Sequence, residues 1–300
     1  MARLAEDSPF DLAALLRHPA VAALIESGIR FEACVRQVLR RADTAIHHHE
    51  GGSGSDVVLI NGWTASGLVW PAEVVGALER DHRVVRIDNR GTGWSRHARR
   101  PYTIDDLARD VRRLIDALRL ERPTVVGLSM GGMIAQELAI RWPDRAGRLV
   151  LLGSRPPSPA ASPPPPYLYA RLLSTPEPGV SLREFLRDGW ATVAGPGLDA
   201  QRPGAVDEMA EAIARRPTPR FAVLDQARAM TAWGCAQRLR RITVPTTVVH
   251  GTEDPLVPVH NGMRLTQLIP GSRYVELPGV GHLVPYEAPD VVTSVVANEF

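Results

Sequence analysis

Short apolar runs recur along this chain, separated by stretches in which the apolar positions space out by threes and fours. Asp56-Val57-Val58-Leu59-Ile60, Arg83 to Ile87, Thr124-Val125-Val126, Arg148 to Leu152, Thr246-Thr247-Val248-Val249 and Arg273 to Leu277 have the length and β-branched content of buried strands. Between them the spacing becomes helical. One helix is expected to begin near Pro71 and another runs to about Leu118, with Leu107, Val111, Leu114, Ile115 and Leu118 on one stripe. That second helix is opened by Thr103-Ile104-Asp105-Asp106, a variant capping box. Further helices are expected from Met133 to Leu138, around His260 to Leu268, and at the chain end near Phe300. Strands this short and apolar, alternating with helices, imply a mainly parallel sheet covered on both faces.

Two regions break the alternation. Residues 8–42 carry Leu12, Leu15, Leu16, Val21, Leu24, Ile25, Phe31, Val35 and Leu39 at helical spacing, punctuated by Pro19 and Gly28. They predict an N-terminal helical arm over 1–43, ahead of a first strand from Ala45 to Glu50. The arm either packs on its own chain or forms a homodimer contact; no heptad repeat marks it as a coiled coil. The second break begins at Ser154-Arg155-Pro156, where a proline-rich stretch ending at Pro166 reads as a stiff linker. Helical patterns follow: a capping box at Ser181-Leu182-Arg183-Glu184, then Val206 to Arg216 and Phe221 to Thr231. Residues 155–240 are therefore expected to form a helical cap inserted between two core segments, 44–154 and 241–300. Its aromatics Tyr167, Tyr169, Trp190 and Trp233 are candidate pocket walls.

Composition narrows the partners more than the chemistry. The 300 residues are 44% hydrophobic and 23% charged, with net charge +2 and arginine in place of every lysine. No basic cluster is dense enough for a nucleic-acid surface. No apolar run is long enough to span a membrane, and the N-terminus lacks a signal-peptide core. A soluble, cytoplasmic protein is the expectation. Cys34 and Cys235 follow no metal or redox spacing and read as unpaired thiols. His47 and His49 share one strand face within His47-His48-His49, but the local sequence offers no third ligand, so no metal is expected.

The chemistry lies where strands end. Gly127-Leu128-Ser129-Met130-Gly131 joins a strand to a helix, the setting of a nucleophile elbow. Serine needs a base to take its proton, and the base needs an acid to orient it. Asp254 follows one later strand and His282 the next, giving the order Ser, Asp, His. Glu253 competes as the acid, but Asp254 fits the place before Pro255 better. Asp88 ends a strand in a glycine-rich loop that reads as structural; His250 is expected to hold the acid loop, and His97 and His260 to lie on the surface. An oxyanion needs two donors: the N–H of Met130 and, from the loop after an earlier strand, that of Trp63.

Taken together, Asn61-Gly62-Trp63, Asp88 through Ser95, Gly127 through Gly132, His250 through Pro255 and Gly281-His282 resemble the capped α/β-hydrolase-fold superfamily over residues 44–300. That family commonly has His-Gly where this chain has Asn61-Gly62, which puts the bonding of the oxyanion loop in question. The resemblance implies a cofactor-independent serine hydrolase acting on a small-molecule ester, lactone or methyl ester, similar to carboxylesterases, enol-lactonases and polyketide methylesterases. Acyl transfer or cyclisation, C–C bond hydrolysis and perhydrolysis stay open, as does a hydrolase-fold ligand receptor.

Overall fold

The computed structural model describes residues 46–95 and 101–297. The chain divides into two units at Thr44 and Ala45, and the account below is of the second. The expected helical arm, Cys34 and His97 lie outside the described residues.

Seven strands form one sheet: β1 (His48–Gly51), β2 (Ser55–Ile60), β3 (His82–Ile87), β4 (Thr124–Leu128), β5 (Arg148–Leu152), β6 (Thr246–Gly251) and β7 (Arg273–Leu277). Their order is β1-β3-β2-β4-β5-β6-β7. Among the described residues only β1 runs antiparallel, pairing His48 with Ile87 and Gly51 with Val84. It starts later than the alternation predicts, and Ile46 ahead of it is buried in the core.

Each strand splits its apolar residues between the two faces, as a pleat requires. Val58, Ile60, Val85, Val125, Leu149 and Leu151 pack with α2 (Ile104–Leu118) and α3 (Met130–Arg141). Val57, Leu59, Val84, Val126, Val150 and Val249 pack with α1 (Ala72–Leu78) and α11 (Pro289–Ala297). The capping box of α2 forms as its sequence predicts, Asp106 N–H donating to Thr103 Oγ1 at 3.2 Å and Thr103 N–H to Asp106 Oδ2 at 3.0 Å.

Between β5 and β6 the chain passes through five α-helices, α4 (Pro166–Leu173), α5 (Leu182–Ala191), α6 (Leu198–Gln201), α7 (Ala205–Arg215) and α8 (Arg220–Ala232), and a 3-10 helix at Ala236–Arg241. The capping box at Ser181 is present at the start of α5. These helices share an apolar cluster with loops at the carboxyl ends of the strands: Leu168, Trp190, Val193, Met209 and Ile213 meet Leu256, Val257 and Leu283. The proline-rich stretch is not a free linker. Asn261, in α9 (His260–Leu268), clamps it by accepting from Ser162 N–H at 2.8 Å and donating to Ser162 O at 3.0 Å. Pro166 is the first residue of α4, where a missing N–H costs nothing.

Candidate active site

The chain leaves β2 toward β3 on one side and returns to β4 on the other, so a crevice opens where β2 and β4 end side by side. Ile60 is opposite Gly127 in that pair. The residues that follow are Asn61-Gly62-Trp63 from β2 and Ser129 from β4. Ser129 has φ +54° and ψ −116°, a left-handed backbone that a non-glycine residue adopts only when its surroundings hold it there. Its N–H donates to Leu152 O at 2.9 Å, and its carbonyl accepts Ser154 Oγ at 2.8 Å. Two glycines let the turn close. A Cβ on Gly127 would fall 2.4 Å from Gly131 O, and one on Gly131 would fall 2.1 Å from Ile60 O. At both places backbone meets backbone, so no side chain could move aside.

On the neighbouring side of the sheet, β6 and β7 pair through Gly251 and Leu277, and the loops after them hold Asp254 and His282. Both are buried, at 4% and 3% exposure. Asp254 Oδ2 accepts Nδ1–H of His282 at 2.7 Å. Its other oxygen accepts the backbone N–H groups of Leu256 at 2.9 Å and Val257 at 2.7 Å. With Nδ1 donating to a carboxylate, the imidazole presents Nε2 as its free acceptor. Glu253 is exposed and contributes only its backbone, donating to Val280 O at 2.9 Å. His250 is fully buried, with Nε2 2.7 Å from Val257 O; burial holds its pKa below the ordinary histidine value. It fastens the loop that carries the acid, and exposed His260 takes no part.

Ser129 and His282 line one cavity of about 380 Å³, with walls from both the sheet loops and the helical insertion. No hydrogen bond joins the two side chains among the described residues; such contacts are often longer before substrate binds. The N–H of Trp63 has no backbone acceptor among the described residues, and that of Met130 opens α3, where no intrahelical partner exists. The Asn61 side-chain amide donates to Ser66 O, and the Asn61 backbone carbonyl accepts Asn89 Nδ2–H at 3.0 Å. The first of these bonds is the support that asparagine gives the loop where the family commonly has histidine. The Trp63 ring stacks on Tyr169 with centroids 5.6 Å apart, and its indole N–H donates to Val223 O at 2.9 Å.

Of the four aromatics expected in the wall, Tyr169 and Trp190 line the cavity. Tyr167 does not: it is 71% exposed, on the far side of its helix turn. Trp233 does not either. It lies in the core with its indole N–H donating to Glu137 at 3.1 Å. An aromatic in a helical insertion has no periodic signal that tells pocket from core or solvent.

Three residues escape the sequence reading. Glu287, in the short helix α10 (Val284–Glu287), accepts N–H groups from Gly281 at 2.7 Å, Gly195 at 2.8 Å and Leu283 at 2.9 Å. It thereby fixes the residues on both sides of His282, whose own N–H donates to Val193 O at 2.8 Å. Burial raises the Glu287 pKa, and its three N–H donors only partly offset this. Ser154 buttresses the elbow, and Arg155 lines the cavity. A polar pair directly after an apolar strand was the available sign for these two.

Asp88 places a carboxylate beside His47 and His49, one polar side-chain atom of each lying within 4.8 Å of the others. Its carboxylate already accepts N–H groups from Gly67 at 2.7 Å and Trp94 at 2.9 Å and pairs with His47 Nδ1 at 3.0 Å. Burial would raise its pKa, but His49 and the backbone donors hold it below the usual carboxylate range. The group ties β1 to the glycine-rich loop after β3.

Residues 57–295 match the model of the Alpha/beta hydrolase family. A pimeloyl-[acyl-carrier protein] methyl ester esterase of Vibrio atlanticus is 29% identical over 75% of this chain and 86% of its own length. A non-heme haloperoxidase of Rhodococcus erythropolis is 26% identical over 80% and 89%. Among solved structures, the enol-lactonase from Burkholderia xenovorans superposes with a TM-score of 0.72 at 29% identity, covering 84% of this chain and 95% of that one. No described helix is long and apolar enough to cross a membrane.

Proposed function

Because the chain belongs to the alpha/beta hydrolase family and is an enzyme of that hydrolase kind, we propose that it cleaves small-molecule carboxyl esters, lactones or methyl esters through an acyl-enzyme on Ser129. The observation carrying this reading is one cavity shared by a left-handed serine and a histidine held at 2.7 Å by a buried aspartate. Ser129 Oγ attacks the carbonyl carbon while His282 Nε2 takes its proton. Asp254 keeps the imidazole in the required tautomer and stabilises the imidazolium. The oxygen that gains the charge lies between the N–H groups of Trp63 and Met130, at the positive end of α3. Collapse expels the alcohol with the proton from His282. Water, activated by the same nitrogen, then releases the acid and restores Ser129.

The helical insertion acts as a cap over this site, with Tyr169 and Trp190 shaping the acyl pocket. The names of related proteins, an ester esterase and an enol-lactonase among them, support ester chemistry. A fluorophosphonate probe is expected to label Ser129 stoichiometrically, as read by peptide mass, and to abolish turnover of a short-chain ester panel. Turnover that survives complete labelling would reject Ser129 as the nucleophile. Added alcohol or amine that diverts most product from free acid would assign the chain to acyl transfer instead.

A further inference from the structure

Among the described residues lining the cavity, Arg155 is the only Asp, Glu, Lys or Arg side chain. It leaves β5 two residues after Gly153, beside the serine that buttresses Ser129. Its guanidinium is held in place by neutral acceptors: Met230 O at 2.8 Å, Pro156 O at 3.2 Å and Ser158 Oγ at 3.4 Å. No carboxylate lies within ion-pair distance of it among the described residues. Burial lowers the Arg155 pKa, and the neighbouring Tyr169 hydroxyl, which burial keeps neutral, supplies no countercharge.

A guanidinium has five N–H groups. The three bonds leave Nε–H and one N–H of Nη2 without a protein acceptor. A cation set among apolar walls without a counter-ion is costly unless something else supplies the negative charge. Arg90 and Arg238 have that charge in place, paired with Asp110 at 2.6 Å and with Glu137 at 2.6 Å. Arg86 and Arg148 are also lowered by burial without an ion pair among the described residues, but neither lines this cavity. Arg155 has no such charge among the described residues, and it lines the cavity that holds Ser129.

We infer that Arg155 is a specificity-determining residue that binds a carboxylate on the substrate, remote from the bond that is cleaved. The substrate class is then a hemi-ester or a lactone acid: an acyl chain ending in a free carboxylate, running from Ser129 past the walls of Tyr169 and Met230 to the guanidinium. This rests on the ester-hydrolase reading but is separable from it, since a neutral ester can be cleaved without Arg155.

The test compares methyl hemi-esters of straight-chain dicarboxylic acids, succinate to suberate, with the corresponding dimethyl esters. Wild-type protein is expected to prefer one or two hemi-ester lengths by roughly ten- to a hundredfold in kcat/KM, the size of a charge-assisted bond. Arg155→Met is expected to collapse that ratio toward one, and Arg155→Lys to retain part of it. Calorimetric titration of Ser129→Ala protein with the free dicarboxylates is expected to show saturable binding that is lost when Arg155→Met is added. Equal turnover of hemi-esters and dimethyl esters by the wild type would overturn the carboxylate site while leaving the hydrolase reading intact. Failure to cleave any ester, with dicarboxylate binding retained and dependent on Arg155, would do the reverse. The hemi-ester preference is read on the wild type and the dicarboxylate binding on Ser129→Ala, so the carboxylate site is decided even if Arg155→Met loses its contact with Met230 and fails to fold, and Arg155→Lys then ties it to this residue.

Discussion

Replacing Asp254 by asparagine is a sharper perturbation than its near-identical shape suggests. In the native loop Oδ1 accepts two N–H groups, from Leu256 at 2.9 Å and Val257 at 2.7 Å, while Oδ2 accepts His282 Nδ1–H at 2.7 Å. Asparagine has a single oxygen for these two places. If the oxygen stays with the two backbone donors, the amide NH2 faces His282 and forces Nδ1 to accept. The imidazole proton then sits on Nε2, and the ring cannot take the proton of Ser129. If the amide flips, two buried N–H groups lose their acceptor, at about 1–3 kcal/mol each. The productive orientation is thus disfavoured by about 2–6 kcal/mol, or roughly 30-fold to more than 10⁴-fold at 1.36 kcal/mol per decade. The upper end agrees with the ~10⁴-fold loss that the same swap causes in other Ser-His-Asp enzymes. Asp254→Asn is therefore expected to lower kcat by about 10²–10⁴ while the melting temperature barely moves. Imidazole nitrogen shifts should report the proton moving from Nδ1 to Nε2. Turnover within tenfold of the wild type, with the native tautomer kept, would refute the reasoning.

Gly131→Ala places a methyl 2.1 Å from Ile60 O and must push the elbow off β2; a stability loss of roughly 1–3 kcal/mol is expected in denaturant melts. The same change is expected to cost about 10²-fold in kcat, and native rates at native stability would show that the close approach is dispensable. Tyr169→Ala removes the ring stacked on Trp63 at 5.6 Å; bulkier acyl groups should gain on acetate by roughly tenfold or more in kcat/KM. A uniform loss across the acyl series would instead place that ring in packing alone. His250, its pKa lowered chiefly by burial, binds fewer protons folded than unfolded. Its contribution to stability is full above about pH 6.5 and is lost as pH falls toward the folded value. Melting temperature should fall on acidification below pH 6.5, and an imidazole signal of His250 that titrates at or above 6.5 would contradict this.

The central strands were legible because they are buried on both faces and read as continuous apolar runs, as Arg148–Leu152 does; the partly exposed edge strand Arg273–Leu277 also keeps its expected limits. Helix starts were legible wherever a hydroxyl and an acid mark the first turn, as at Thr103 and Ser181. The elbow, acid and histidine stand out because each follows a strand in a glycine-bearing loop, and strand order brings those ends together. What could not be read depends on contacts distant in sequence. Glu287 acts by accepting from Gly195, 92 residues away, and nothing in its own neighbourhood marks it. Asp88 joins His49 only once β1 is laid antiparallel to β3. Tyr167 and Tyr169 look alike in sequence; which of them faces the cavity is decided by the rotation of a helix that begins at Pro166.

The seam between residues 193–195 and 279–283 limits how this molecule can be re-engineered by exchanging parts. Gly281 and Gly195 approach so closely that a Cβ on Gly281 would fall 2.3 Å from Gly195 N. Both glycines share the Glu287 carboxylate, and Val193 O holds the backbone of His282. A chimera spliced at the ends of β5 and β6, with every helix between them taken from another protein, would bring in a foreign 193–195 segment. It would misplace the histidine before its new pocket could be tested. The modular unit is therefore smaller than the stretch between the strands. The turn after α5 has to travel with Gly281, His282 and Glu287 as one cassette, and α5 with α7, whose Met209 and Ile213 share its apolar cluster.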